Sequence, residues 1–263
     1  MNGEHASPSY PPRRVSLGPV PVDAVTCEDA LQVVARLIAG GEGGSVFTPN
    51  VDHIMIADGN AHMREAYARC DLALADGMPV LWAARLLGEP LPEKVSGSDF
   101  VPRLLERAAE RGWRVYFLGG APGVAALARE KLLTLMPRLE VVGVDVPMIG
   151  IDDPPGRWAH IVERIRDAKP HLVFVAFGAP KQEIFIQAVR ADLRPAVFLG
   201  VGASLDFIAG TIPRAPGWMS RSGLEWLFRL GREPGRLWRR YLVRDPQFLF
   251  VVGRALRDRW RTD

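Results

Sequence analysis

From residue 15 onward, short runs rich in β-branched and aromatic residues alternate with segments of helical length and helical apolar spacing. That rhythm constrains the chain more than any single motif. Parallel strands can be joined only by crossovers long enough to hold a helix, so the alternation specifies a parallel sheet covered on both faces. Five runs read as strands, at 45–48, 71–75, 114–118, 171–177 and 196–200, with a weaker one at 140–144. Residues 15–20 add a short edge strand or hairpin. Helical spacing covers 26–39, 60–68, 79–87, 99–111, 123–136, 157–168 and 181–190, with Gly and Pro at the joints. The expected class is α/β.

After Gly210 the strand pattern stops. Residues 211–263 read as two or three short helices broken at Pro216, Pro234 and Pro246. Residues 1–14 are rich in Pro and Ser and read as a disordered tail, which leaves a core at 15–210 and an appendage at 211–263. No apolar run has the length of a membrane span and the N-terminus has no signal-like apolar stretch, so neither export nor a transmembrane helix is expected.

Charge separates the two parts. The net +3 of the chain conceals a segment, 210–263, with twelve Arg, no Lys and five acids, while the remainder carries −4. Four of the seven Trp, at Trp218, Trp226, Trp238 and Trp260, lie in that basic segment. Arg with Trp suits a surface that meets anionic lipid or phosphate, and the acidic body offers no continuous basic track for nucleic acid. Arg236 and Arg240 stand four apart with Arg239 beside them, while Leu237, Trp238, Tyr241 and Leu242 cover the other side. Such a helix lies at a membrane interface or packs on the core as a basic surface helix.

Cys27 and Cys70 lack the spacing of a disulfide framework or a zinc site, which suits a reducing, cytoplasmic setting. His53, His62, His160 and His171 show no paired-ligand spacing and read as structural or surface residues. Asp152 and Asp153 run into two prolines and read as a solvated loop, so no divalent-metal site is expected.

In an open parallel sheet ligands bind beyond the carboxyl ends of the strands. Four joints there carry chemistry: Thr48-Pro49-Asn50, Ala75-Asp76-Gly77, the run Gly178 to Glu183, and Gly200 to Ser204 followed by Asp206. Asp76 has two local readings. A carboxylate at a strand end with Gly behind it can approach a substrate hydroxyl, and Asp before Gly is also an ordinary turn or helix cap. Thr48 and Asn50 carry the same ambiguity as caps of the next helix. Gln182 falls in the first turn of a helix after Pro180, where free N–H groups attract phosphate or sugar oxygens. The loops at 119–123 and 200–204 are Gly-rich, but neither matches the dinucleotide fingerprint nor the Walker lysine motif. A nicotinamide oxidoreductase is therefore disfavoured.

Taken in order, the motifs resemble the WecG/TagA/CpsF family of bacterial glycosyltransferases, glycosyltransferase family 26. They are Thr48-Pro49-Asn50 with Asp52-His53, Ala75-Asp76-Gly77-Met78-Pro79, Val95-Ser96-Gly97-Ser98-Asp99, Phe117-Leu118-Gly119-Gly120, Gly178 to Glu183, Gly200 to Phe207, Arg214-Ala215-Pro216 and Glu225-Trp226-Leu227-Phe228-Arg229-Leu230. The resemblance implies a Rossmann-like core and an inverting, metal-independent transfer from a UDP-sugar donor to a polyprenyl-diphosphate-linked sugar, at the cytoplasmic face of the membrane. Donors in the family are UDP-N-acetylmannosamine or its uronic acid, with UDP-glucose as the alternative. It implies Asp76 as general base, with Thr48, Asn50 and Gln182 positioning the sugars and Asp206 near the nucleotide. Lys94 stands where the family typically has Arg, keeping the charge without the bidentate fork. Arg232, Arg236, Arg239 and Arg240 carry over as a cluster for diphosphate and membrane contact. No cofactor is implied, and a homo-oligomer stays open. A reading of another class, a non-catalytic nucleotide-sugar or lipid-binding protein, would leave Asp76 dispensable.

Overall fold

The structure is a computed structural model and describes residues 11–150, 153 and 155–260. The N-terminal half runs β1 (Arg14–Leu17), β2 (Val20–Asp23), α1 (Cys27–Gly40), β3 (Gly44–Phe47), α2 (Val51–Gly59), α3 (Ala61–Ala68), β4 (Leu72–Ala73), α4 (Met78–Leu86) and α5 (Gly97–Arg111). It continues β5 (Arg114–Gly119), α6 (Val124–Leu135), β6 (Glu140–Asp145), α7 (Ala159–Ala168), β7 (Leu172–Ala176), α8 (Lys181–Val189), β8 (Val197–Gly200) and α9 (Ser204–Ala209). Beyond Gly210 come α10 (Gly217–Arg221), α11 (Glu225–Arg232), α12 (Pro234–Arg239), a π-helical turn at Arg240–Arg244 and α13 (Phe248–Trp260).

Strands β3 to β8 form one parallel sheet in the order β4-β3-β8-β7-β5-β6. Successive side chains face opposite sides, as the pleat requires: Val115 and Phe117 enter one core, Tyr116 and Leu118 the other. Helices α1, α5, α6 and α9 close the first face, and α2, α3, α4, α7 and α8 close the second. Burial on both faces explains the near-continuous apolar strands Leu172–Ala176 and Val197–Gly200. The chain leaves β5 outward to β6 but leaves β7 back toward β8, so a crevice opens where the crossovers diverge.

Two elements differ from the sequence expectation. Helix α2 fills residues 51–59, which carried no helical prediction, and Asn50 starts it by accepting the His53 N–H at 3.2 Å. Its short, evenly apolar sequence lacks the one-sided spacing that marks a surface helix. The tail holds more helix than expected, ending in the 13-residue α13. Pro246 lies in the 3-10 turn just ahead of α13, where its missing N–H costs no helical hydrogen bond.

The hairpin β1–β2 turns at Gly18, whose φ of 61° suits glycine, and buries Val15, Leu17, Val20 and Val22. From it Asp23 reaches the sheet edge: its carboxylate accepts the Ala73 N–H at 2.7 Å and binds Arg14 at 2.8 Å. A buried anion thus satisfies an edge-strand donor that would otherwise be orphaned. Asp23→Ala is expected to lower stability by about 3 kcal/mol, read as a Tm drop of roughly 6–12 °C.

The tail is joined to this body by burial. Phe248, Val251 and Val252 of α13 lie in the second core, and an added Cβ at Gly18 would stand 2.4 Å from Val251 Cγ1.

Candidate active site

Asp76 is positioned by the ladder between β3 and β4. Hydrogen bonds run on past the two-residue strand, with Leu74 N–H donating to Phe47 O at 2.8 Å and Asp76 N–H to Pro49 O at 3.0 Å. The last of these sets Asp76 beside the Thr48-Pro49-Asn50 joint. Gly77 follows at φ 108°, a conformation that admits glycine alone, and lets the chain turn at once into α4.

A cavity of about 660 Å³ opens along the carboxyl edge of the sheet. Thr48, Asn50, Asp76, Gln182, Asp206 and Arg240 line it together, along with both Gly-rich loops. Close backbone approach shapes its walls. A Cβ at Gly97 would stand 3.1 Å from Ser204 Oγ and 3.5 Å from Thr48 Oγ1, and one at Gly119 would meet Phe177 at 2.7 Å. Gln182 is 1% exposed, and its amide serves the wall. Its Nε2 donates to Glu183 at 2.8 Å and its Oε1 accepts the Gly202 N–H at 3.1 Å, leaning across Gly200 where a Cβ would stand 2.9 Å away.

Lys94 lies outside this cavity, in two adjoining ones. Its Nζ donates to Ser220 Oγ at 2.8 Å, and Ser220 in turn donates to Glu225 at 3.1 Å, so it ties α10 and α11 to the core. The tail arginines divide. Arg240 enters the cavity, whereas Arg232 and Arg239 are exposed, each guanidinium resting over an aromatic ring, Phe228 and Trp238. The side chain of Arg236 falls outside the described residues.

Burial raises several carboxyls here, and Asp76 is the one of them that lines the cavity. Burial, then the charge of Glu225, push its carboxyl up to about 7, against the pull of Lys94 and Arg229. It is therefore poised to gain or lose a proton near neutrality. His53 goes the other way. Burial first, then Arg240 and Arg244, press it down to about 3, so its ring is neutral and its Nδ1 lies 2.7 Å from the Tyr67 hydroxyl.

A second, apolar groove of about 390 Å³ leads off the same point. Met78, Pro79, Trp82, Trp226, Tyr241 and Leu249 line it, and Asp76 borders both spaces.

The sequence model described as the glycosyl transferase WecG/TagA/CpsF family matches residues 15–262. The chain belongs to that family. It is similar to the N-acetylglucosaminyldiphosphoundecaprenol N-acetyl-beta-D-mannosaminyltransferase of Bacillus spizizenii, with 33% identity over 211 residues, 80% of this chain and 79% of that protein.

Asp52, Glu225, Arg229 and Arg244 line the cavity of this glycosyltransferase without having been assigned a role from the sequence. A signal existed for three of them. Glu225 and Arg229 stand four apart within one short motif, and Arg244 stands four beyond Arg240. Nothing local distinguishes Asp52 from a helix N-terminal acid. Among the described residues, three of the four Lys or Arg side chains lining the transferase cavity, Arg229, Arg240 and Arg244, come from beyond Gly210. The fourth, Lys181, already donates to Ile149 O at 3.1 Å.

Proposed function

We propose that this glycosyltransferase moves N-acetylmannosamine, or its uronic acid, from a UDP-sugar to a sugar on polyprenyl diphosphate, with inversion and without a metal. The observation that carries the reading is the position of Asp76, at the junction of a polar cavity and an apolar groove. The polar cavity has the size of a nucleotide-sugar site. The groove suits the first isoprene units of a lipid acceptor.

In this reading Asp76 takes the proton from the acceptor hydroxyl as its oxygen attacks the anomeric carbon of the donor. The bond from that carbon to the UDP oxygen breaks from the opposite face. Charge then gathers on the departing diphosphate, where Arg229, Arg240 and Arg244 offer guanidinium donors. Thr48 and Asn50 stand beside the base to orient sugar hydroxyls, and Asp206 at the start of α9 faces the nucleotide. Lys94, which bears on Asp76 from the groove side, attends the acceptor.

Among the described residues no helix is long and apolar enough to cross a membrane. The groove instead ends at exposed apolar side chains: Trp82 is 53% exposed and Leu249 74%, with Leu242, Val243 and Phe250 also on the surface. With Arg232 and Arg239 nearby in sequence, these form the face that rests on the inner leaflet of the plasma membrane. The similarity to the mannosaminyltransferase of Bacillus spizizenii supports the donor and acceptor chosen here.

The test is a panel of UDP-sugars offered with N-acetylglucosaminyl-diphosphoundecaprenol, read by mass spectrometry of the lipid product. A gain of one N-acetylhexosamine from UDP-N-acetylmannosamine is expected. Transfer from UDP-glucose alone would move the protein to the other donor class, and UDP-sugar binding without any lipid product would make it a binding protein.

A further inference from the structure

Arginines brought to a cavity by a distant tail need something to hold them there. Arg240 and Arg244 open and close the π-helical turn between α12 and α13. Both meet one side chain of the core. Arg240 Nη1 lies 3.2 Å from Asp52 Oδ2, and Arg244 Nη2 donates to Asp52 Oδ1. Each guanidinium therefore meets Asp52 through a terminal nitrogen.

Asp52 is suited to this task by its place in the fold. It stands in the first turn of α2, where the helix dipole favours an anion, two residues past the Thr48-Pro49-Asn50 joint beside Asp76. It is 7% exposed and lines the cavity with both arginines. Its neighbour His53 is neutral, with Nδ1 2.7 Å from the Tyr67 hydroxyl, and brings no cation to compete for the Asp52 carboxylate. Asp245 pairs with Arg240 Nε at the longer distance of 3.7 Å, while Asp52 is the carboxylate that reaches the terminal nitrogens of both arginines.

We propose that Asp52 is a positioning residue of the transfer reaction: its two carboxylate oxygens hold Arg240 and Arg244 in the cavity, pre-aimed at the diphosphate of the bound nucleotide. An arginine held in place loses little freedom when the ligand arrives, and the same geometry serves the leaving diphosphate. The proposal rests on the reading of those arginines as diphosphate contacts.

The experiment measures UDP binding by calorimetry, transfer kinetics and Tm in the full chain. Asp52→Asn is expected to weaken UDP binding roughly tenfold and to lower kcat/KM by about 10- to 100-fold. Asp52→Glu restores most of both. Adding Asp52→Asn to the Arg240→Ala/Arg244→Ala pair costs nothing more in UDP affinity, because the groups it aims are gone. Arg254→Ala is the control for a merely structural latch, since it removes a 2.7 Å ion pair that ties α13 to Asp58 of α2. It is expected to lower Tm without changing UDP affinity. If Asp52→Asn binds UDP as well as or better than the parent while the arginine pair weakens it, the positioning role is wrong and Asp52 is only a competing anion. If the arginine pair leaves UDP binding unchanged, the diphosphate reading of the arginines fails with it.

Discussion

Asp76→Asn is expected to reduce kcat/KM by roughly 10²- to 10⁴-fold, the usual contribution of a positioned general base, without weakening UDP binding. The amide keeps the size of the side chain, exchanges one acceptor oxygen for an N–H donor, and removes both the charge and the capacity to take a proton. In the parent, a carboxyl pushed up to about 7 must be ionised to act, so kcat/KM rises with pH through about 7 and levels above it. The same charge has a cost in stability. The folded-state pKa lies above the ordinary 3.8, so between those values the folded protein holds a proton that the unfolded chain has released. Stability therefore falls as pH rises from about 4 to about 7, and stays at the lower level beyond. Asp76→Asn removes this loss and is expected to raise Tm at pH 8, with the gain vanishing near pH 4. A mutant that melts higher and turns over less is the signature of a base kept in an unfavourable site for function. A mutant with unaltered turnover would leave Asp76 as the turn residue that its local sequence also permits.

Arg229→Ala is expected to lower kcat by roughly 10²- to 10³-fold, the loss typical of one donor that stabilises developing charge. Arg229 borders both the polar cavity and the apolar groove and is one of the cations bearing on Asp76. Its removal withdraws charge from the leaving diphosphate and also lets the Asp76 carboxyl rise further, so the midpoint of the pH profile moves to higher pH. Arg229→Lys restores part of the rate by returning the charge without the planar fork. An unchanged pH profile in Arg229→Ala would show that the arginine does not face the base. Substitution tests the tail better than truncation does. Phe248, Val251 and Val252 are buried in the core, and cutting after Gly210 would expose the surface they cover.

The sequence carried the architecture because burial on both faces of a parallel sheet leaves a plain record: apolar runs of strand length, crossovers of helix length, and glycines where the chain turns. It carried the candidate base as well, since a carboxylate followed by Gly77 at a strand end is visible as a pattern, as are Thr48, Asn50 and Asp206 at their own joints. What it did not carry was the meeting of remote segments. Helix α2 was hidden because a helix buried over most of its surface has no polar stripe to set its period. Gln182 reads as a ligand residue in the first turn of α8, and its amide is engaged by its chain neighbour Glu183 and by Gly202, a partner that only folding brings near.

The tail shows the division most clearly. Its excess of arginine and tryptophan was countable, and so was the spacing of Arg236, Arg239 and Arg240. Which arginines turn inward was not, because that choice depends on Asp52, 192 residues earlier than Arg244. By itself the chain determined a strand-helix order with Asp76 at a carboxyl end, through local propensity and the pattern of burial. Only the tertiary structure decided that Glu225 and Arg229 would bear on that carboxylate and that Arg240 and Arg244 would line the same cavity, because charges distant in sequence interact through distance and dielectric, and the fold sets both.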